Sequence, residues 1–260
     1  APILAGLAAE RSGCDLVHLA MPSESVERAE WPLSLIPEEI PDTTHITTRS
    51  VAAILNRVLN GRGCQAVLIG PGLGRESESI EATFDLIEKL VEANIPLVID
   101  ADAIRALPSH EWPPGMLGVV TPHREEMAHW LGASDPVEIL KIRARRDGIS
   151  RVVEDESCVI VRTGAEDELW APGGRHCFAM GGHARMSVGG TGDLLSGCIA
   201  GLMAQGMSPW AASRLGCALL RTAGNSAALE FGPGLSASDV PSHIARTLAK
   251  WTRQSDDRDA

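Results

Sequence analysis

Four short apolar runs punctuate the chain, and each stops at a turn of glycine or polar residues: QAVLIGPG at 65–72, PLVIDAD at 96–102, GMLGVVTPH at 115–123 and SCVIVRTG at 157–164. Each reads as a buried strand. Between the first two lies ESESIEATFDLIEKLVEANI (76–95), where Ile80, Phe84, Ile87, Leu90 and Val91 mark one helical face. Strand–helix alternation of this kind predicts an α/β fold: a mostly parallel central sheet with helices on both faces.

Other elements extend the pattern. A helix is expected from about Arg124 to Leu131, and DELWA with RHCFAM reads as a hairpin-like excursion. Asp193 to Gln205 is helical. Ser208 is placed as an N-cap with Pro209 at the first helical position of a helix running to about Phe231. A last helix covers roughly Ser238 to Trp251. The chain opens on a helical pattern, Ile3, Leu4, Leu7 and Ala8, followed by a strand. A sheet of this class usually begins with a strand, so one is expected upstream. The segment 22–45 carries four prolines and reads as an irregular surface excursion. With no internal repeat and no dividing linker, residues 1–253 are expected to form one domain, ending in a polar tail at 254–260 that frays.

Composition excludes several classes. The formal charge of −11 argues against a phosphate-backbone partner, and six Trp and three Phe with no Tyr argue against a stacking platform for single strands. No run of 18 apolar residues and no basic-then-apolar leader is present, which predicts a soluble protein with no membrane partner. The six cysteines are scattered, with no C-x-x-C pair. They are expected to be reduced, in a cytoplasmic protein.

Chemistry concentrates in the turns. In GGTGD, Gly189, Gly190 and Gly192 allow positive φ and close backbone approach, and the free N–H groups of the helix that follows make an anion hole. Asp193 beside that hole would repel a phosphate unless it takes a proton from an attacking hydroxyl; the structural alternative is an acid that complements the helix dipole. GPGLGR (70–75) sits at a strand's carboxyl end, where open α/β sheets bind ligands, but does not match the dinucleotide fingerprint. Asp100 and Asp102 are two apart after the next strand and would face the same way, suggesting a metal or polar-ligand role; the alternative is one N-cap and one solvated acid. Thr121 and His123 of TPHREE could reach a ligand, although a helix start with Glu125 and Glu126 in its first turn is equally natural.

With GPGLG at 70–74, DAD at 100–102, TPH at 121–123 and GGTGD at 189–193 in this order, the chain resembles the ADP- or ATP-dependent NAD(P)H-hydrate dehydratases of the ribokinase-like superfamily. The resemblance implies phosphorylation of the C6 hydroxyl of hydrated NADH or NADPH by ADP or ATP with Mg²⁺, then loss of phosphate to restore the ring double bond. It implies Asp193 as the catalytic base and Gly190, Thr191 and Gly192 as the phosphoryl-holding backbone. Ala1, Gly72, Gly74, His123 and Asp193 would contact the hydrate. Arg162, Thr163, Gly164 and Gly192 would hold the adenine nucleotide. No protein-caged metal is expected, and a homo-oligomer is, a tetramer being one form.

The chain departs from the family pattern at three places. Arg162-Thr163 stands where Lys-Gly is usual, Arg124-Glu125 replaces Pro-Gly after TPH, and GHARM (182–186) replaces Gly-Asn-Pro-Gly-Met before GGTGD. A small-molecule alcohol kinase of the same superfamily and a non-catalytic adenylate-binding module are the competing readings. A pure binder gains nothing from a carboxylate beside an anion hole.

Overall fold

The computed structural model describes residues 1–61, 63–109, 112–131, 158–171 and 175–259, with side chains through 253. Its main sheet has six strands in sequential order: β3 (Val67–Ile69), β4 (Leu97–Ile99), β5 (Gly118–Val120), β6 (Cys158–Arg162), β7 (Asp167–Ala171) and β8 (Arg175–Ala179). The first four are parallel, and β7 and β8 continue antiparallel, forming the expected hairpin. Ser157, the first residue of the expected fourth strand, lies outside the described residues.

Alternation within the strands explains why they read as continuously apolar. Leu97, Ile99, Val120, Cys158 and Ile160 face one core, with α3 (Thr48–Asn60), α4 (Ser77–Glu92) and α5 (Arg124–Trp130). Val98, Val119, Val159 and Val161 face the other, against α6 (Thr191–Ala204), α7 (Pro209–Phe231) and α8 (Val240–Asp259). Both faces are covered, as a parallel sheet requires. The six cysteines are all free thiols, and Cys158, Cys198 and Cys217 are buried. No helix among the described residues is long and apolar enough to cross a membrane.

Two expectations fail on backbone grounds. The four-proline segment is not irregular: α2 (Ser23–Arg28) and β2 (Leu35–Ile40) lie in it, and β2 pairs in parallel with β1 (Val17–Pro22) as a separate two-stranded sheet. Pro37 is accommodated because β2 has one partner strand only, and an edge strand tolerates a missing donor. Past β2, the buried Asp42 carboxylate accepts from the Thr47 backbone at 2.8 Å, from the Thr47 hydroxyl at 2.9 Å and from Ser50, fixing the start of α3. The last helix runs further than the expected Ser238–Trp251, with α8 helical to Asp259; Ala260 lies outside the described residues.

The opening helix, α1 (Pro2–Arg11), makes its buried contact through its small residues, with Leu4 packed partly buried beside them. Ala5, Gly6, Ala8 and Ala9 are buried. They meet Gly197 and Gly201 of α6. A Cβ on Gly197 would stand 2.1 Å from the Ala5 carbonyl oxygen, and one on Gly201 would stand 2.3 Å from Ser12 Oγ and 2.8 Å from the Ala9 carbonyl oxygen. On its other side, a Cβ on Gly6 would press Leu19 and Leu35 at 3.2 Å. α1 is thereby wedged between α6 and the small sheet.

Because the Ala5 obstacle is backbone, it cannot rotate away. Gly197→Ala is expected to cost about 1–3 kcal/mol of stability, the usual penalty of overpacking. Urea unfolding measures it, and an unchanged midpoint would show that the two helices are not held in this contact.

Candidate active site

The carboxyl ends of the parallel strands lie in a row. Asp100 N donates to Ile69 O at 3.0 Å, Thr121 N to Ile99 O at 3.0 Å and Thr163 N to Pro122 O at 3.0 Å. The four motif turns thus occupy one edge of the sheet, where open α/β folds place their ligands.

Gly190 is the N-cap of α6, in the left-handed region at φ 94°, and no side chain caps that end. The helix starts at Thr191, so the N–H groups of Thr191, Gly192 and Asp193 lack intrahelical partners, an arrangement that can receive an anion. The Thr191 hydroxyl is turned back onto the Val188 carbonyl at 3.0 Å. Glycine is required at 190 by space as well as by φ: a Cβ would stand 2.6 Å from Leu4 Cδ1 and 3.1 Å from Ala237 Cβ. Asp193 is half-buried in the first turn. Burial raises its carboxyl above the usual range.

Ala1 also meets the GPGLG turn. Gly72 has φ 71°, and a Cβ there would lie 3.2 Å from Pro2 Cδ and 3.5 Å from Ala1 Cβ. Asp102 pins the same turn, accepting from the Gly74 backbone at 3.2 Å and pairing with Arg75 at 3.1 Å. The structure therefore gathers Ala1, Gly72, Gly190 and Asp193 at one place.

Asp100 and Asp102 do not face the same way. β4 ends at Ile99 and a 3-10 turn (Ala101–Ala106) begins, so the two-residue strand repeat no longer applies. Asp102 turns to the glycine loop, while Asp100 is buried and accepts from Thr121 Oγ1 at 2.8 Å. Burial, above all, pushes the Asp100 carboxyl up to about 7, with Glu126 and Asp193 adding to the effect against hydrogen bonds from Ser196 and Thr121. Among the described residues no group of three or more His, Cys, Asp or Glu is arranged to hold a metal.

His123 is the N-cap of α5. Its Nδ1 accepts from the backbone of Glu125 at 3.1 Å and of Glu126 at 3.3 Å, and the Glu126 carboxylate accepts from the His123 backbone at 2.9 Å. This capping box fixes the ring with Nδ1 as acceptor, and the side chain remains 53% exposed. An isolated parallel bridge joins His123 to Thr163, bringing the TPH and VRTG turns together.

Arg162 has a different setting. Its guanidinium pairs with the fully buried Glu168, whose other oxygen is 2.8 Å from His176, and it lies 5.9 Å from the Trp170 ring centre. The stretch after it is held by Arg221 of α7. That guanidinium donates to Asp167 at 2.7 Å, to the carbonyls of Ala165 at 2.8 Å and Gly164 at 3.0 Å, and to the Gly181 carbonyl at 2.5 Å. Arg221 and Ser196 are absent from the sequence reading because both lie within helices, away from any glycine turn. Their positions inside otherwise apolar helical faces were the available signal.

The raised Asp100 carboxyl has a stability consequence. The folded protein holds this proton more tightly than the unfolded chain, whose carboxyl keeps the ordinary value of 3.8. The resulting stabilisation is complete below that value and is lost as pH rises toward about 7. The unfolding free energy of the protein is therefore expected to fall relative to Asp100→Asn across this window, measured by denaturant titration at each pH. A difference that stays flat would contradict the buried setting of Asp100.

The model of the NAD(P)H-hydrate dehydratase family matches residues 1–246. A bifunctional NAD(P)H-hydrate repair enzyme Nnr from Hyperthermus butylicus is 33% identical over 252 residues, covering 95% of this chain and 46% of that protein. The chain thus spans about half the length of the bifunctional relatives. An ADP-dependent (S)-NAD(P)H-hydrate dehydratase from Cenarchaeum symbiosum is 32% identical over 259 residues, covering 97% of this chain and 85% of that protein. Among solved structures, the Bacillus subtilis ADP/ATP-dependent NAD(P)H-hydrate dehydratase co-crystallised with ATP/Mg²⁺ aligns with a TM-score of 0.77 at 22% identity, over 96% of this chain and 84% of that one. A hydroxyethylthiazole kinase from Pyrococcus horikoshii aligns at 0.59 and 16% identity, over 93% and 92% of the two chains. These likenesses fix the fold as ribokinase-like. With the family model covering almost all of the described residues and the sequence identity extending from end to end, the chain belongs to the NAD(P)H-hydrate dehydratase family.

Proposed function

We propose that this chain catalyses nucleotide-dependent dehydration of hydrated NADH and NADPH, restoring the reduced cofactor. One observation carries the reading: a half-buried carboxylate, Asp193, stands in the first turn of a helix whose uncapped N-terminus opens beside the GPGLG turn and Ala1. Asp193 takes the proton from the C6 hydroxyl of the hydrated nicotinamide ring. The freed oxygen attacks the terminal phosphorus of the nucleotide, and the bond to the leaving nucleotide oxygen breaks. The backbone of Gly190, Thr191 and Gly192 holds the transferring phosphoryl group as charge builds on it. Phosphate then departs from C6, the neighbouring ring carbon loses a proton, and the double bond returns.

Gly72, Gly74, His123 and Ala1 form the hydrate side of the site, and Arg162, Thr163 and Gly164 the nucleotide side. Arg162 is paired with Glu168, and the Thr163–Gly164 turn beside it is braced by Arg221. Mg²⁺ carried in on the phosphates would neutralise their charge. The relatives named for ADP and for ADP/ATP support an adenine nucleotide as donor. Six free thiols suit a reducing, cytoplasmic setting.

The assay supplies hydrated NADH and Mg²⁺ with ADP, with ATP or with no nucleotide, and reads reduced-nicotinamide absorbance together with released phosphate. Recovery is expected only with nucleotide. Phosphate transfer without recovery would instead favour an alcohol kinase. Asp193→Asn is expected to keep nucleotide binding while turnover falls by roughly 10² to 10⁴, the share of a general base. Arg221→Met is expected to raise the KM for nucleotide by about tenfold through loss of charge-assisted bonds, with the KM for the hydrate little changed. Equal rises in both would place Arg221 outside the nucleotide side.

A further inference from the structure

The connector between β8 and α6 is tied at both ends to the site. Upstream it is held by Arg221, which donates to the Gly181 carbonyl and, from the same guanidinium, to the carbonyls of Gly164 and Ala165 on the side proposed for the nucleotide. Downstream it ends at Gly190, the N-cap of α6. Between these anchors Ala184–Ser187 forms a 3-10 turn: His183 Nδ1 accepts from the Arg185 backbone at 3.1 Å, and Ser187 Oγ donates to the Ala184 carbonyl at 2.8 Å. Met186 seats the turn on α7, since a Cβ on Gly224 would stand 2.5 Å from Met186 Sδ. The connector is thus a fixed strap from the VRTG turn to the helix that carries Asp193.

Arg185 leaves this strap toward the loop at 235–237. Its Nη2 donates to the Leu235 carbonyl at 3.3 Å, and its Nε is buried without a hydrogen-bond partner. Ala237, two residues on, walls Gly190, where a Cβ would lie 3.1 Å from Ala237 Cβ. The half-buried guanidinium therefore lies against the loop that borders the start of α6. An arginine cannot shed its charge, and unmet N–H donors in a covered setting are costly. Arg75, Arg162 and Arg221 are each paired with a carboxylate, Asp102, Glu168 and Asp167. Among the described residues Arg185 has no acid within ion-pair distance, although the chain carries a net charge of −11. It stands where the family pattern has glycine, so this cation is particular to the chain.

We propose that Arg185 binds the terminal phosphate of the adenine nucleotide, facing the N–H groups at the start of α6 across the phosphoryl group. The inference rests on the reading of GGTGD as the phosphoryl site. A guanidinium offers a planar fork of donors to two phosphate oxygens. Its charge offsets that of Asp193, which would otherwise oppose the approach of a polyanion, and it stabilises the charge spread over the oxygens during transfer. No bond forms to Arg185, and its protons stay on nitrogen; the bonds made and broken are those of the phosphoryl transfer described above. Two phosphate sources meet in that reaction, the nucleotide and the pyrophosphate of the hydrate itself. The nucleotide is favoured because the strap bearing Arg185 is anchored through Arg221 to Gly164 and Ala165.

Calorimetric titration in the presence of Mg²⁺ compares AMP, ADP and ATP on the unmodified protein, Arg185→Met and Arg185→Lys. The Met variant should bind ADP and ATP about ten- to a hundredfold more weakly, with AMP changed less than about twofold, because only the contact to the terminal phosphate is lost. Lys should recover part of the loss, as a point charge without the fork. A Met variant that keeps its affinity for ADP and ATP would overturn the proposal. So would an equal loss for AMP, which marks a distorted pocket rather than a missing phosphate contact. In the hydrate-repair assay the Met variant should raise the KM for nucleotide and leave that for the hydrate unchanged. A rise in the hydrate KM alone would assign Arg185 to the pyrophosphate of the hydrate and overturn the proposal. If the unmodified protein repairs nothing while the binding differences appear as expected, the assigned reaction fails and the phosphate contact stands.

Discussion

No methyl group fits between the opening helix and the helix that carries Asp193. Gly197 and Gly201 present bare backbone to Ala5 and Ala9, so the two helices meet at main-chain distance. Close contact of this kind fixes one helix against another with little side-chain freedom to absorb error. The same opening helix supplies Leu4 against Gly190 and Ala1 against Gly72. The seat that holds α1 in the core therefore also sets the walls of the site. Position in the core and geometry at the anion site are one constraint.

The parallel sheet contributes the second constraint. Its hydrogen-bonded register aligns Asp100, Thr121 and Thr163 along one edge, so turns far apart in sequence become neighbours. Acids accumulate there: Asp100, Asp102, Asp193 and Glu126. The structure keeps them compatible by separate means. Asp102 is paired with Arg75, Glu126 is spent on the backbone of His123, and Asp100 is removed from water. Asp193 is left half-buried in the first turn of α6, at an N-terminus that no side chain caps.

Much of this arrangement was legible in the sequence. The four strands read as apolar runs because Leu97 and Ile99 face one core while Val98 faces the other, and the turns after them line one edge of the sheet. The Ser208–Pro209 helix start is present, with Ser208 accepting from the Ala211 backbone. The strand at Leu35–Ile40 was hidden because prolines imitate a loop, and only its single partner strand makes Pro37 acceptable. α1 was found by its large apolar residues, yet Ala5 and Ala9 make the contact, since a hydrophobic pattern weighs size and this interface selects smallness. The spacing of Asp100 and Asp102 misled for a local reason: the strand stops one residue before Asp100. Arg221 acts through tertiary contacts with Gly164, Ala165, Asp167 and Gly181, and its place on an apolar helical face marks it without naming those partners.

The cluster of Arg162, Glu168 and His176 constrains how this chain can diverge. Glu168 is fully enclosed, and both its oxygens are committed, one to Arg162 and one to His176. Truncating Arg162 alone would leave one oxygen of the enclosed Glu168 without its partner, so the two positions constrain each other. The Arg-Thr step that sets this chain apart from the Lys-Gly pattern thus has its guanidinium committed inside the sheet, across the strand pair from Glu168.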